Sequence, residues 1–141
     1  MSYIPKDIRN RVRQQAKNRC GYCQSQQRFI PIPFEVEHIH PTGKGGTDDE
    51  SNLWLSCRLC NAFKGAQIEA TDLLTGDIVA IFNPRHQIWS DHFQWDEAAV
   101  RIMGKTPVGR ATIQALQLNH QLHLEPRRMW VSVGWHPPND E

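Results

Sequence analysis

Four cysteines stand in two pairs, Cys20-Gly21-Tyr22-Cys23 and Cys57-Arg58-Leu59-Cys60. Thiols two residues apart reach a common point from one tight turn, and two such turns complete a sulfur tetrahedron around Zn²⁺. Two disulfides or a redox-active C-x-x-C compete for the same spacing. Neither pair sits in a thioredoxin-like βαβ pattern, and Met1 to Asn10 lacks the apolar core of a secretion signal. Structural zinc held by Cys20, Cys23, Cys57 and Cys60 is therefore the expectation, with the cytoplasm as the expected location.

Between the pairs lies a second set of chemical side chains: Glu37, His38 and His40, then Asn52 beyond a glycine-rich stretch. Asn61 and Lys64 follow the last cysteine. Hydrolysis of a phosphodiester needs a hydroxide, charge neutralisation at the phosphate, and help for the leaving oxygen. Histidine accepts a proton from water near neutral pH. A hard cation such as Mg²⁺ or Mn²⁺, held by few protein oxygens, keeps positions open for phosphate. One carboxylate, Glu37, and one amide carbonyl, Asn61, suit such an ion. Lys64 lies one helical turn beyond Asn61 and projects from the same face. Adjacent strand residues point to opposite sides, so Glu37 and His38 share a site only if the strand bends or ends there.

The stretches EHIHP (37–41), GKGGTDDESNL (43–53) and CRLCNAFKG (57–65) occur in this order between and around the cysteine pairs. In this the sequence resembles the HNH endonuclease family in its four-cysteine form, over about residues 18–65. The resemblance implies a ββα-metal unit, two strands and a closing helix around one catalytic divalent ion. It implies His38 as general base, Glu37 and Asn61 as ligands of the catalytic ion, Asn52 as organiser of the loop, and Lys64 as a basic group on the closing helix. It also implies DNA as substrate, with 5′-phosphate and 3′-hydroxyl products. Asn61 stands where some members have His, and Glu37 where Asp is more usual. A catalytically silent zinc module that binds nucleic acid is the alternative, and a zinc-stabilised protein-interaction domain a third reading.

The elements that must position these groups are legible in part. Lys6 to Arg19 has no helix breaker, and Ile8, Val12 and Ala16 recur every four residues as a narrow apolar stripe. Residues 1–30 carry Lys6, Arg9, Arg11, Arg13, Lys17, Arg19 and Arg28 against the single acid Asp7, in a chain whose net charge is only +1. This asymmetry makes Arg9, Arg13 and Lys17 candidates for phosphate contact. Phe29 to Ile39, interrupted by Pro31 and Pro33, reads as an irregular or edge strand. Leu53 to Leu55 reads as a short buried strand, and a helix is expected from Arg58 past Lys64.

Beyond Gly65 the pattern predicts strands at Ile78 to Phe82, Phe93 to Trp95 and Val100 to Ile102, then helices at Pro107 to Leu118 and Pro126 to Val133. Trp54, Trp95, Trp130 and Trp135 are expected in the core. No ligand spacing links His86, His92, His120, His123 and His136. The expected fold is thus α+β: residues 1–65 form the ββα-metal core with its zinc site and basic N-terminal helix, and residues 66–141 a small α+β extension packed on it. With 141 residues and no long apolar run, a membrane partner is not expected.

Overall fold

The computed structural model describes residues 3–139. Helix α1 (Lys6–Gln15) follows Pro5 and buries Val12, with Ala16 closing its apolar stripe and Ile8 packed alongside. It ends four residues short of the predicted Arg19, because Lys17 and Asn18 both take left-handed backbone angles, φ 55° and 53°. That turn lets Arg19 bridge to Gln26 and delivers Cys20 into the first knuckle.

After Pro31 and Pro33 the chain becomes regular as strand β1 (Glu35–His38), which pairs antiparallel with β2 (Leu53–Ser56) in the register Glu37↔Trp54 and His38↔Leu53. Helix α2 (Arg58–Lys64) starts on Cys57, whose sulfur accepts the Cys60 N–H, and lies across β1. Two strands and a helix thus stand in the order the sequence implies.

The extension adds two more antiparallel hairpins, β3 (Glu69–Thr71) with β4 (Ile78–Ala80), and β5 (Phe93–Trp95) with β6 (Ile102–Gly104). A one-turn helix α3 (Trp89–His92) precedes β5, and helices α4 (Pro107–Leu116) and α5 (Gln121–Ser132) end the fold. Strand β6 begins two residues later than expected, because the Asp96 carboxylate caps the N–H groups of Val100 and Arg101 in an extended turn. Helix α5 starts five residues before Pro126, which lies inside it. The earlier start is fixed by the His120 imidazole, which accepts the Leu122 N–H, and by burial of His123, Leu124 and Arg127.

One hydrophobic cluster runs through both parts: Val12, Tyr22, Phe34 and Leu55 from the first, Phe82, Phe93, Ile102 and Leu116 from the second. The tryptophans mostly line its margin. Trp54 and Trp95 are partly buried against it, whereas Trp135, expected in the core, is 49% exposed and stacks on Phe29 at 4.5 Å. No helix among the described residues is long and apolar enough to cross a membrane.

Candidate functional site

The cysteine pairs converge. Cys20, Cys23 and Cys60 are fully buried and Cys57 is nearly so, none is bonded to another, and their sulfurs all lie within 4.8 Å of one another. Cys23 and Cys57 Sγ are 3.7 Å apart, close to the ~3.8 Å edge of a tetrahedron with Zn–S bonds of ~2.3 Å. Burial and the other three thiols push the Cys60 thiol well above its ordinary range. All four become thiolates only with a cation between them. The donor set fits Zn²⁺, and the disulfide reading fails on the geometry.

The first knuckle reaches further than its sulfurs. Gly21 N–H donates to the Leu55 carbonyl at 2.9 Å, tying the knuckle to β2. Tyr22, between the two cysteines, is fully buried, and its hydroxyl donates to Glu37 Oε1. Burial holds the phenol well above its usual range, so it stays a donor. Glu37 Oε2 faces Lys64 Nζ at 3.6 Å. Burial raises the Glu37 carboxyl, against the opposing pull of Lys64, Tyr22 and His38. Two residues before it on β1, Glu35 Oε2 accepts from the Asn61 amide nitrogen. Helix α2 therefore presses Asn61 and Lys64 onto Glu35 and Glu37 respectively, as expected for side chains one turn apart. Among the described residues the Asn61 carbonyl oxygen has no hydrogen-bond partner, so a hard cation could reach it, whereas the Glu37 carboxylate is already bracketed by two donors.

His38 keeps the strand alternation. Its imidazole turns away from Tyr22 toward the loop, where Nε2 lies 2.7 Å from Asp48 Oδ1, with a fifth of the side chain exposed. Glu37 and His38 thus do not meet through a bend, although the His38 charge still acts on the Glu37 carboxyl.

Asn52 shapes the loop that supplies Asp48. Its Oδ1 accepts the His40 N–H at 2.9 Å, while Nδ2 donates to the carbonyls of His40 at 2.9 Å and Thr47 at 2.7 Å. Asn52 thereby ties His40 to Thr47 across the loop. Gly46 is obligatory here, since a Cβ would collide with the His40 carbonyl oxygen. The His40 ring donates from Nε2 to the Lys44 carbonyl at 2.7 Å, so it braces the loop.

Two expectations change. Lys64, the basic group expected on the closing helix, does not face solvent: it is 2% exposed and donates to the carbonyls of His38 at 3.3 Å and Ile39 at 3.0 Å. It anchors the end of β1. The basic helix is also less free than its composition suggests. Arg11 pairs with Glu50 at 2.8 Å, and Arg13 donates to the Phe34 carbonyl at 3.4 Å. Lys17 stands past the end of α1, off its helical face. Arg9 and Lys17 are exposed.

Tyr22, Glu35 and Asp48 were missed in the sequence, as was His123, whose Nε2 lies 3.7 Å from Cys60 Sγ. Glu35, two residues from Glu37 on a strand, had a signal in the period-two pattern. Asp48 and His123 had none, since their positions depend on loop closure and on helix docking. Beside the loop opens a cleft of about 670 Å³ lined by His40, Gly46, Asn52, Phe82, His86 and Gln87, among others. Core and extension both contribute to its walls.

Residues 20–67 match the family model of the HNH endonuclease. The match runs from the first cysteine to just beyond α2 and includes every residue of the cysteine cluster, of β1 and of the loop. Over this third of the chain the sequence is similar to an HNH domain, and the α+β core with its four-cysteine cluster is consistent with a zinc-binding HNH core, which supports a nuclease-type function. No curated protein and no solved structure matches the chain.

Proposed function

We propose that the protein is a metal-dependent endonuclease that hydrolyses phosphodiester bonds in DNA, with His38 as general base. The observation that carries this reading is the His38–Asp48 pair at the open end of β1. A carboxylate on Nε2 favours the tautomer that donates to it, which leaves Nδ1 as the acceptor for a proton from water. Among the described residues His38 Nδ1 has no hydrogen-bond partner. Asn52 holds the loop, and through it Asp48, in place. Lys64 holds the strand end through two carbonyls, so the imidazole is presented from a fixed backbone.

Glu37 and Asn61 are the proposed ligands of a catalytic Mg²⁺ or Mn²⁺, which when bound supplies positive charge at the phosphate and leaving oxygen. Arg9, Arg13 and Lys17 are the proposed contacts to the DNA backbone, giving binding that weakens steeply with salt. Residues 66–141 act as a scaffold that forms the far wall of the cleft. The cytoplasm is the proposed location, since it keeps four thiols reduced.

One observation favours the second reading, a silent nucleic-acid-binding module. Glu37 is consumed by a buried ammonium and a phenol, an arrangement that stabilises a fold without any ion. The two readings separate on supercoiled plasmid incubated with Mg²⁺ or Mn²⁺, wild type beside His38→Ala. Nicking by wild type, slowed by a factor on the order of 10² or more in the variant, is the expected result. Equal nicking by both proteins refutes the assigned base, and tight binding without turnover establishes the silent module.

A further inference from the structure

Helix α5 places His123 and Arg127 four residues apart, one turn above the other, and buries both. His123 Nε2 lies 3.7 Å from Cys60 Sγ. It stands outside the group of ligand atoms that lie within 4.8 Å of one another, which comprises the four cysteines alone. The imidazole is thus placed as a hydrogen-bond donor to a sulfur rather than as a fifth ligand.

Arg127 is 0% exposed. Nη1 donates to the Val100 carbonyl at 3.0 Å and Asn119 Oδ1 at 3.4 Å, and Nη2 to the Leu118 carbonyl at 2.7 Å. Its Nε has no partner, and the guanidinium carbon lies 5.3 Å from the Trp95 ring centre. Every one of these acceptors is neutral, and no ion pair of the described residues includes Arg127. A guanidinium stays charged, and a buried charge without a countercharge is costly. Burial disfavours its charge most and lowers the guanidinium from its ordinary range; the groups that oppose this are the four cysteines, each favouring the charge. Four thiolates around one divalent ion carry a net charge of about −2, so the metal-loaded cluster supplies the missing anion.

We propose that His123 and Arg127 are outer partners of a four-thiolate metal centre, His123 donating an N–H to Cys60 Sγ and Arg127 balancing the centre's negative charge. Metal occupancy and the docking of α5 are then linked, each strengthening the other. The inference concerns the cysteine cluster alone and holds whether or not the protein cleaves DNA.

The test uses the full chain loaded with zinc and follows transfer of the metal to an excess of coloured chelator. Arg127→Met releases zinc roughly 10- to 100-fold faster than wild type, the range seen when outer partners of metal ligands are removed. Arg127→Lys, which keeps the charge but loses the fork of donors, stays closer to wild type. Release from Arg127→Met at the wild-type rate overturns the proposal, as does release from Arg127→Lys as fast as from Arg127→Met. A second readout is insensitive to lost stability: with Co²⁺ in place of zinc, the sulfur-to-metal charge-transfer band reports electron donation by the thiolates. His123→Phe shifts this band if the N–H reaches Cys60, and an unshifted band overturns that contact. Wild-type protein that retains no zinc overturns the whole.

Discussion

The cysteine cluster and the end of β1 are built in opposite ways. Around the sulfurs every group is sealed: three cysteines are fully buried, as is Tyr22 within the first knuckle, and His123 meets Cys60 from 63 residues away. At His38 the side chain is partly open, its partner Asp48 is half exposed, and the loop between them hangs on one amide. Burial makes the first region an anchor whose loss is global. Exposure makes the second an open edge, where groups can be changed with little harm to the fold and, on the proposed reading, with much harm to catalysis. Tyr22 and Lys64 join the two, since both meet Glu37.

The largest effect expected is from Cys23→Ser. Structural zinc contributes on the order of 10 kcal/mol or more to such sites, so the variant should lose zinc and its cooperative thermal transition together. Metal analysis with a melting curve checks this, and a variant that melts like wild type would break the contrast at its root. Asn52→Ala comes next. It strips partners from the His40 N–H and from the carbonyls of His40 and Thr47, and should cost roughly 2–3 kcal/mol while zinc content is kept. If it unfolds the protein as Cys23→Ser does, the loop is part of the anchor.

On the proposed reading Asp48→Asn should act mainly on chemistry. An exposed pair contributes about 1 kcal/mol or less to folding, so the melting point should move little, while loss of the partner that orients the proposed base slows cleavage roughly five-fold. The last effect is one of pH. Burial, with Arg127 nearby, lowers His136 from 6.5 to about 4. Between these values the unfolded chain binds the proton and the folded one does not, so stability is complete above the upper value and declines as pH falls toward the lower. Denaturant midpoints across that window should fall less steeply in His136→Phe than in wild type. Parallel slopes would remove His136 from the acid response, because any loss of zinc at low pH is common to both proteins.

The anchor was more legible in the sequence than the edge. Cysteine spacing pointed to a tetrahedron over the disulfides and redox pair that compete for it, and the apolar alternation around Leu53 and Leu55 specifies the strand that feeds it. Asn52 and Asn61 stood out because the resemblance marked their positions; in the structure Asn52 bonds to His40 and Thr47 in the loop, and Asn61 lies on α2 against Glu35. The reach of Lys64 was misread. Helical periodicity gives its face, but not that the face is covered by the carbonyls of His38 and Ile39. Helix ends failed where backbone conformation decided them, at Lys17 and Asn18 with positive φ, and at Pro126, where burial of His123 and Arg127 outweighs a proline's cost inside a helix. His123 and Asp48 were invisible because contacts across 63 and 10 residues come from closure of the tertiary structure.

The clasp formed by Asn52 grips the chain at His40 and at Thr47 and leaves the tip between them, Thr42 to Gly45, outside its hold. That tip hangs instead on the His40 ring through the Lys44 carbonyl, so a change of length or charge there should be felt first at His40, two residues beyond the proposed base, rather than in the strand pair.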